Sequence, residues 1–149
     1  MSADADEIQD NWFSTTILCN GVEYFGCRGI DYSEKLTREQ VHGAGAYPLG
    51  MTPPKVENEE GKITLLNRDF YQMLADFGDA WAEVRFDITV QYGLSGSPVH
   101  TDVIEGCRLT GAPGGASEGT TAIEREVAFM FMAIKRDGKY AVTRRRRRG

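Results

Sequence analysis

Residues 84–92 read VRFDITVQY, and every second position is apolar. Val84, Phe86, Ile88, Val90 and Tyr92 fall on one side, and Arg85, Asp87, Thr89 and Gln91 on the other. A period of two predicts a strand with one face in a core and one face in water. Residues 62–66, KITLL, and 103–110, VIEGCRLT, predict further strands, and residues 30–36 a third strand after the opening hairpin. Residues 121–134, TAIEREVAFMFMAI, predict a long strand whose second half is apolar on both faces and so needs cover on both sides. Asn20-Gly21 and Asp137-Gly138 are hairpin turns, because these residues tolerate positive φ. One segment breaks the period. In NRDFYQMLADF, Phe70, Met73, Leu74 and Phe77 recur at helical spacing, with Asn67 as the expected N-cap, Asp69 in the first turn and Gly78 as the stop. About seven or eight strands and one helix, joined by hairpin signals, predict a mainly β protein: an antiparallel β-sandwich or barrel with one flanking α-helix.

The pattern lapses between residues 37 and 61, which read as a long loop. Connections average about 4–6 residues, so this length signals function or disorder. Its centre, VHGAGAYPLGMTPP at 41–54, holds three glycines and three prolines. It is no phosphate cradle: no Gly-Lys-Ser/Thr follows, and prolines stand where a dinucleotide-binding turn would open a helix. The tyrosine, leucine and paired prolines are more than a solvated linker needs.

Charge changes the picture at the ends. The 149-residue chain is 41% hydrophobic and 26% charged, an ordinary composition for one folded domain. That domain is expected over residues 12–143, between a mobile acidic head at 1–11 and a basic tail at 144–149. The net charge is −5, and removing Arg144, Arg145, Arg146, Arg147 and Arg148 takes it to −10. An acidic body grips nucleic acid poorly, since phosphate contacts need Lys and Arg. The head lacks the basic start and apolar stretch of a signal peptide, and no run approaches the ~18 apolar residues of a membrane span, so assembly in a cytoplasm is expected.

Little chemistry stands out. Cys19, Cys27 and Cys107 form no CxxC pair and read as buried or half-buried thiols. His42 and His100 do not complete a zinc site with them by spacing. Glu124 and Glu126 share one strand face, which suits a lumen, a cleft or plain solvent. No metal, cofactor or catalytic site is expected.

The order of motifs says more than any one of them. An opening hairpin leads to CRGIDYSEKL, then to V-x-G-x-G-x-x-P-x-G-x-T as Val41, Gly43, Gly45, Pro48, Gly50 and Thr52. A strand, a helix with Phe70 and Leu74, and FDITVQY follow. PVHTDVIEGCRLTG, with Asp102, Gly106 and Cys107, precedes a Gly/Ser loop and a long apolar strand ending in a hairpin. Over roughly residues 24–142 this succession resembles the tail tube proteins of tailed bacteriophages. The resemblance implies a ring-forming tail tube fold. Hexameric rings would fuse their strands into a barrel around a channel and stack into the tube through which the genome leaves the virion. Sheath, terminator, baseplate or tape measure proteins are the implied partners. DNA would pass without specific binding. Related tube proteins build the inner tubes of contractile injection machines and type VI secretion systems, with which such a chain is easily confused.

Residue by residue, that reading makes Arg85, Asp87, Thr89, Gln91, Glu124 and Glu126 candidates for the wet or lumenal face. An acidic wall would let phosphate slide. The loop with Gly43, Gly45, Tyr47, Pro48, Leu49 and Gly50 becomes an arm onto a neighbouring subunit or ring, with glycines providing turns and prolines limiting the freedom lost on docking. The arginine tail is expected to be solvated, with docking on an adjacent ring next and DNA contact third. A minor ring component, such as a terminator or baseplate ring, and a soluble β-barrel that binds a small ligand are the competing readings.

Overall fold

A computed structural model describes residues 15–94, 97–116, 118 and 122–142. The head at 1–11 and the arginines at 144–148 lie outside the described residues. In chain order the first strands are β1 (Thr15–Cys19), β2 (Val22–Glu23), β3 (Cys27–Asp31) and β4 (Glu34–Thr37). Next come β5 (Gln40–His42), β6 (Pro48–Met51), β7 (Lys55–Asn58) and β8 (Gly61–Leu66). Helix α1 (Asn67–Phe77) and a 3-10 turn at Trp81–Glu83 precede β9 (Phe86–Leu94) and β10 (Ser97–Leu109). The last are β11 (Glu124–Met130), β12 (Ala133–Arg136) and β13 (Lys139–Tyr140).

All strand pairs are antiparallel. One layer runs β2-β1-β9-β10-β12-β13 and the other β10-β11-β8-β3. Strand β10 belongs to both. Its first part pairs with β9 and β12, and its last residues, Arg108 and Leu109, pair with Met130 and Phe129 of β11. The change of layer needs a bend, and a bulge between Ile104 and Cys107 supplies it. Gly106 sits there at φ 68°, with its N–H donating to Asp87 Oδ1 at 3.0 Å. A Cβ at this position would lie 2.6 Å from Met132 Cγ. The barrel is not closed.

The predicted alternation sets the core. Ile17, Ile88, Val90, Ile104 and Ile134 face inward from the first layer, and Ile63, Leu65, Val127 and Phe129 from the second. Asn20 and Gly21, at φ 52° and 82°, turn β1 into β2 with Cys19 opposite Val22. Helix α1 follows β8 directly and buries Phe70 and Met73, with Leu74 and Phe77 packed alongside. Gly78 ends it at φ 83°, its N–H donating to Leu74 O. Asn67 does not cap the helix. It is the first helical residue, and its Oδ1 instead accepts from Arg125 Nε at 2.8 Å.

Three other expectations change. The strand predicted over 121–134 breaks after Met130, because the chain must cross from β11 in one layer to β12 in the other. Its outer methionines are uncovered, Met130 at 57% and Met132 at 69% exposure. The strand predicted over 30–36 breaks at residues 32–33, where β3 leaves the body and β4 begins an arm. The loop predicted over 37–61 is mostly hydrogen-bonded ladder, since β4 pairs with β7 and β5 with β6.

Candidate assembly surfaces

The arm is a hairpin in two tiers. At its root Glu34, Lys35, Leu36 and Thr37 lie opposite Asn58, Glu57, Val56 and Lys55. Thr37 Oγ1 donates to Glu57 Oε1 at 2.9 Å, and Ser33 Oγ to Glu59 Oε1 at 2.7 Å. Farther out, Gln40, Val41 and His42 face Met51, Gly50 and Pro48, with an irregularity beside the proline. Between the tiers Thr52 N–H donates to Glu39 O and Glu39 N–H to Thr52 Oγ1, both at 2.8 Å. Pro53 and Pro54 stiffen that joint. Every residue from Arg38 to Met51 is exposed, with Tyr47 at 82% and Leu49 at 75%. The expected glycine turns take another form: Gly43, Gly45 and Gly50 are not among the positive-φ residues. Gly43 matters for space, since a Cβ there would lie 2.9 Å from Leu49 Cδ1.

Two anchors aim the arm. Asn58 Nδ2 donates to Phe131 O at 3.1 Å and Met132 O at 2.9 Å. Tyr32, just before β4, donates its hydroxyl to Asp102 Oδ2 at 2.5 Å. That uses its only proton, so Tyr92 OH, 2.6 Å away, must donate to Tyr32. Arg136 Nη1 lies 3.4 Å from the same carboxylate, and its guanidinium stacks 5.6 Å from the Tyr32 ring centre. Asp102 is only 7% exposed, and these partners supply the hydrogen bonds that a buried carboxyl needs. Burial first, then the bonds to Asp102 and Tyr92, push the Tyr32 hydroxyl pKa well above its ordinary value. Sequence reading missed this cluster. The signal was an aspartate at an inward position of β10, two residues before Ile104.

On the outward face of β9 Asp87 is exposed and Thr89 and Gln91 are half-buried, with exposed Arg85 just before the strand. Thr16 and Thr101 flank Gln91, and Leu18 and Val103 flank Thr89. The middle of this face is therefore hydroxyl and amide groups with Leu18 and Val103, and Asp87, Glu105 and Lys135 share the face with it. Asp87 has local work, since its N–H donates to Asn20 Oδ1 and its own Oδ1 accepts from the Gly106 N–H at the bulge. Glu124 and Glu126 stand on β11 in the other layer, 3.6 Å from Arg28 Nη1 and 3.7 Å from Lys62 Nζ. The structure does not bring them to the face of Arg85, Asp87, Thr89 and Gln91.

The thiols stay unpaired. Burial pushes Cys19 and Cys107 up to about 12 and Cys27 up to about 11. Among the described residues no three His, Cys, Asp or Glu side chains gather as a metal site, and no helix is long and apolar enough to cross a membrane.

No family model and no curated protein matches the chain. Solved structures do. A chain of the PVC sheath–tube complex of an extracellular contractile injection system aligns with a TM-score of 0.57 at 14% identity, over 91% of this chain and 97% of that one. The chain has the tail tube fold. Hcp1 from Flavobacterium johnsoniae shares it with a TM-score of 0.52 at 11% identity, over 85% and 96% of the two chains. A chain of the tube-terminating cap of the anti-feeding prophage shares it at 0.53 and 12%, over 91% and 98%. The alignments take in 85–91% of this chain and 96–98% of the three neighbours.

Proposed function

We propose that the protein is a structural ring component of a phage-like tail tube. Copies join the open edges of the first layer, β2 with β1 on one side and β13 on the other, into a barrel around a channel. Covering such edges removes an aggregation hazard. The wet face of β9, with Arg85, Asp87, Thr89 and Gln91, then lines the channel. Rings are hexameric, they stack through the arm residues Gly43, Gly45, Tyr47, Pro48, Leu49 and Gly50, and the tube conducts a genome. The observation that carries this reading is the tail tube fold over nearly the whole chain, joined to an arm that the protein's own body leaves bare. Thr16, Thr89, Gln91 and Thr101 form an uncharged patch on that wall with no cation to hold phosphate, and Arg85 and Lys135 stand at its margins. Sheath, terminator or baseplate proteins are the proposed partners, and the particle's tail the proposed location.

The likeness to a tube-terminating cap favours a second reading, a single ring at one end of the tube. Negative-stain imaging of the purified full chain separates the two. Long hollow tubes support the main reading and isolated rings the second. A monomer at high concentration ends both.

A further inference from the structure

In a chain with 26% charged residues, residues 40–54 contain no Asp, Glu, Lys or Arg. They form the outer tier of the arm and show Tyr47, Leu49 and Met51 to solvent. A second weakly charged feature lies at the other end of the arm. Where the root meets the end of the first layer, a groove of about 280 Å³ is lined by Val56, Met132, Ala133, Tyr140 and Val142, with Glu34 its only charged wall among the described residues. Tyr140 is held in place, its hydroxyl donating to the Glu105 carboxylate at 2.9–3.0 Å.

The arm cannot fill its own groove. The groove is at the root, whereas every residue from Arg38 to Met51 is exposed. Extended strand from Glu34 to His42 also carries the tip about 25 Å away. An uncharged plug and an almost uncharged socket thus stand at opposite ends of one two-tier ladder. We propose that the groove receives the arm tip of a second copy, with Leu49 and Tyr47 seated against Val56, Met132 and Val142. Each copy gives one plug and offers one socket, so the contact is heterologous, and repetition closes a ring or propagates a stack. This rests on the reading of the arm as an assembly element and adds the acceptor.

Cysteine trapping tests it. Full-length chains carrying Leu49→Cys alone and Ala133→Cys alone are mixed and oxidised mildly. The native thiols are poor competitors, because Cys19 and Cys107 are buried and half-buried Cys27 has its thiol pushed up to about 11, and Cys27→Ser in every variant removes it from the test. The mixture should give disulfide-linked dimers on a denaturing gel, each variant alone should stay monomeric, and a chain with both changes should give a ladder of multiples. Val142→Cys is a second acceptor in case Ala133→Cys misfolds. If rings or tubes form by imaging but neither acceptor cross-links to Leu49→Cys, the groove is not the seat and the assembly reading survives. If the unaltered chain forms no assembly, both readings fall together.

Discussion

The body and the arm use apolar residues in opposite ways. In the body Leu65, Val127 and Phe129 are fully buried between two layers. In the arm Tyr47, Leu49 and Met51 stand in water on a ladder held by backbone pairs and a few hydroxyl–carboxylate bonds. Two isolated strands are marginal in water. The arm persists because its root is bolted to the body through Asn58 and Tyr32. The lesson is that the body is specified for folding and the arm for contact, so changes in the two should separate stability from assembly.

The largest expected effect tests that separation directly. Replacing residues 40–51 with a short Gly-Ser turn should abolish ring or tube formation, read by sedimentation, while moving the unfolding free energy by less than about 0.5 kcal/mol. A matching loss of stability would mean the arm is part of the folding unit. Next, Phe129→Ala should cost about 3–5 kcal/mol in urea unfolding, since it empties a fully buried ring site. Tyr32→Phe sits at the boundary. It removes a donor from buried Asp102 and should cost about 1–3 kcal/mol. It should also weaken assembly more than an equally destabilising core change, because it frees the arm's root. Smallest is the β12–β13 turn. The Thr101 N–H first, then His100, hold the Asp137 carboxyl below its ordinary value. Its contribution is therefore complete above the ordinary carboxylate pKa of about 3.8 and fades as pH falls below that. Asp137→Asn keeps a residue that tolerates the turn's φ of 49°, and should flatten the acid limb of the urea midpoint only slightly.

Much of the body was legible because burial writes a period into the sequence. The β9 alternation and the helix stripe follow from it, and the Asn20-Gly21 and Asp137-Gly138 turns and the helix stop at Gly78 follow from residues that accept positive φ. The arm was not legible as a ladder, because its tiers are three or four residues long and its outer tier has no buried face. The break after Met130 was hidden for a related reason. An apolar run reads the same whether it stays in one sheet or crosses to another. Asn67 kept its place at the start of the helix but exchanged capping for Arg125, a partner 58 residues away that local sequence does not announce. The cluster of Tyr32, Tyr92, Asp102 and Arg136 likewise exists only once four distant segments meet.

Hydrogen exchange on the isolated chain and on its assembled form tests the central claim, that the core of the body is complete alone and the arm is completed by other copies. Amides of β5 and β6 should exchange fast in the monomer and become protected on assembly, while those of β8, β9 and β11 change little. Equal exchange of β5 and β6 in the two states would contradict it.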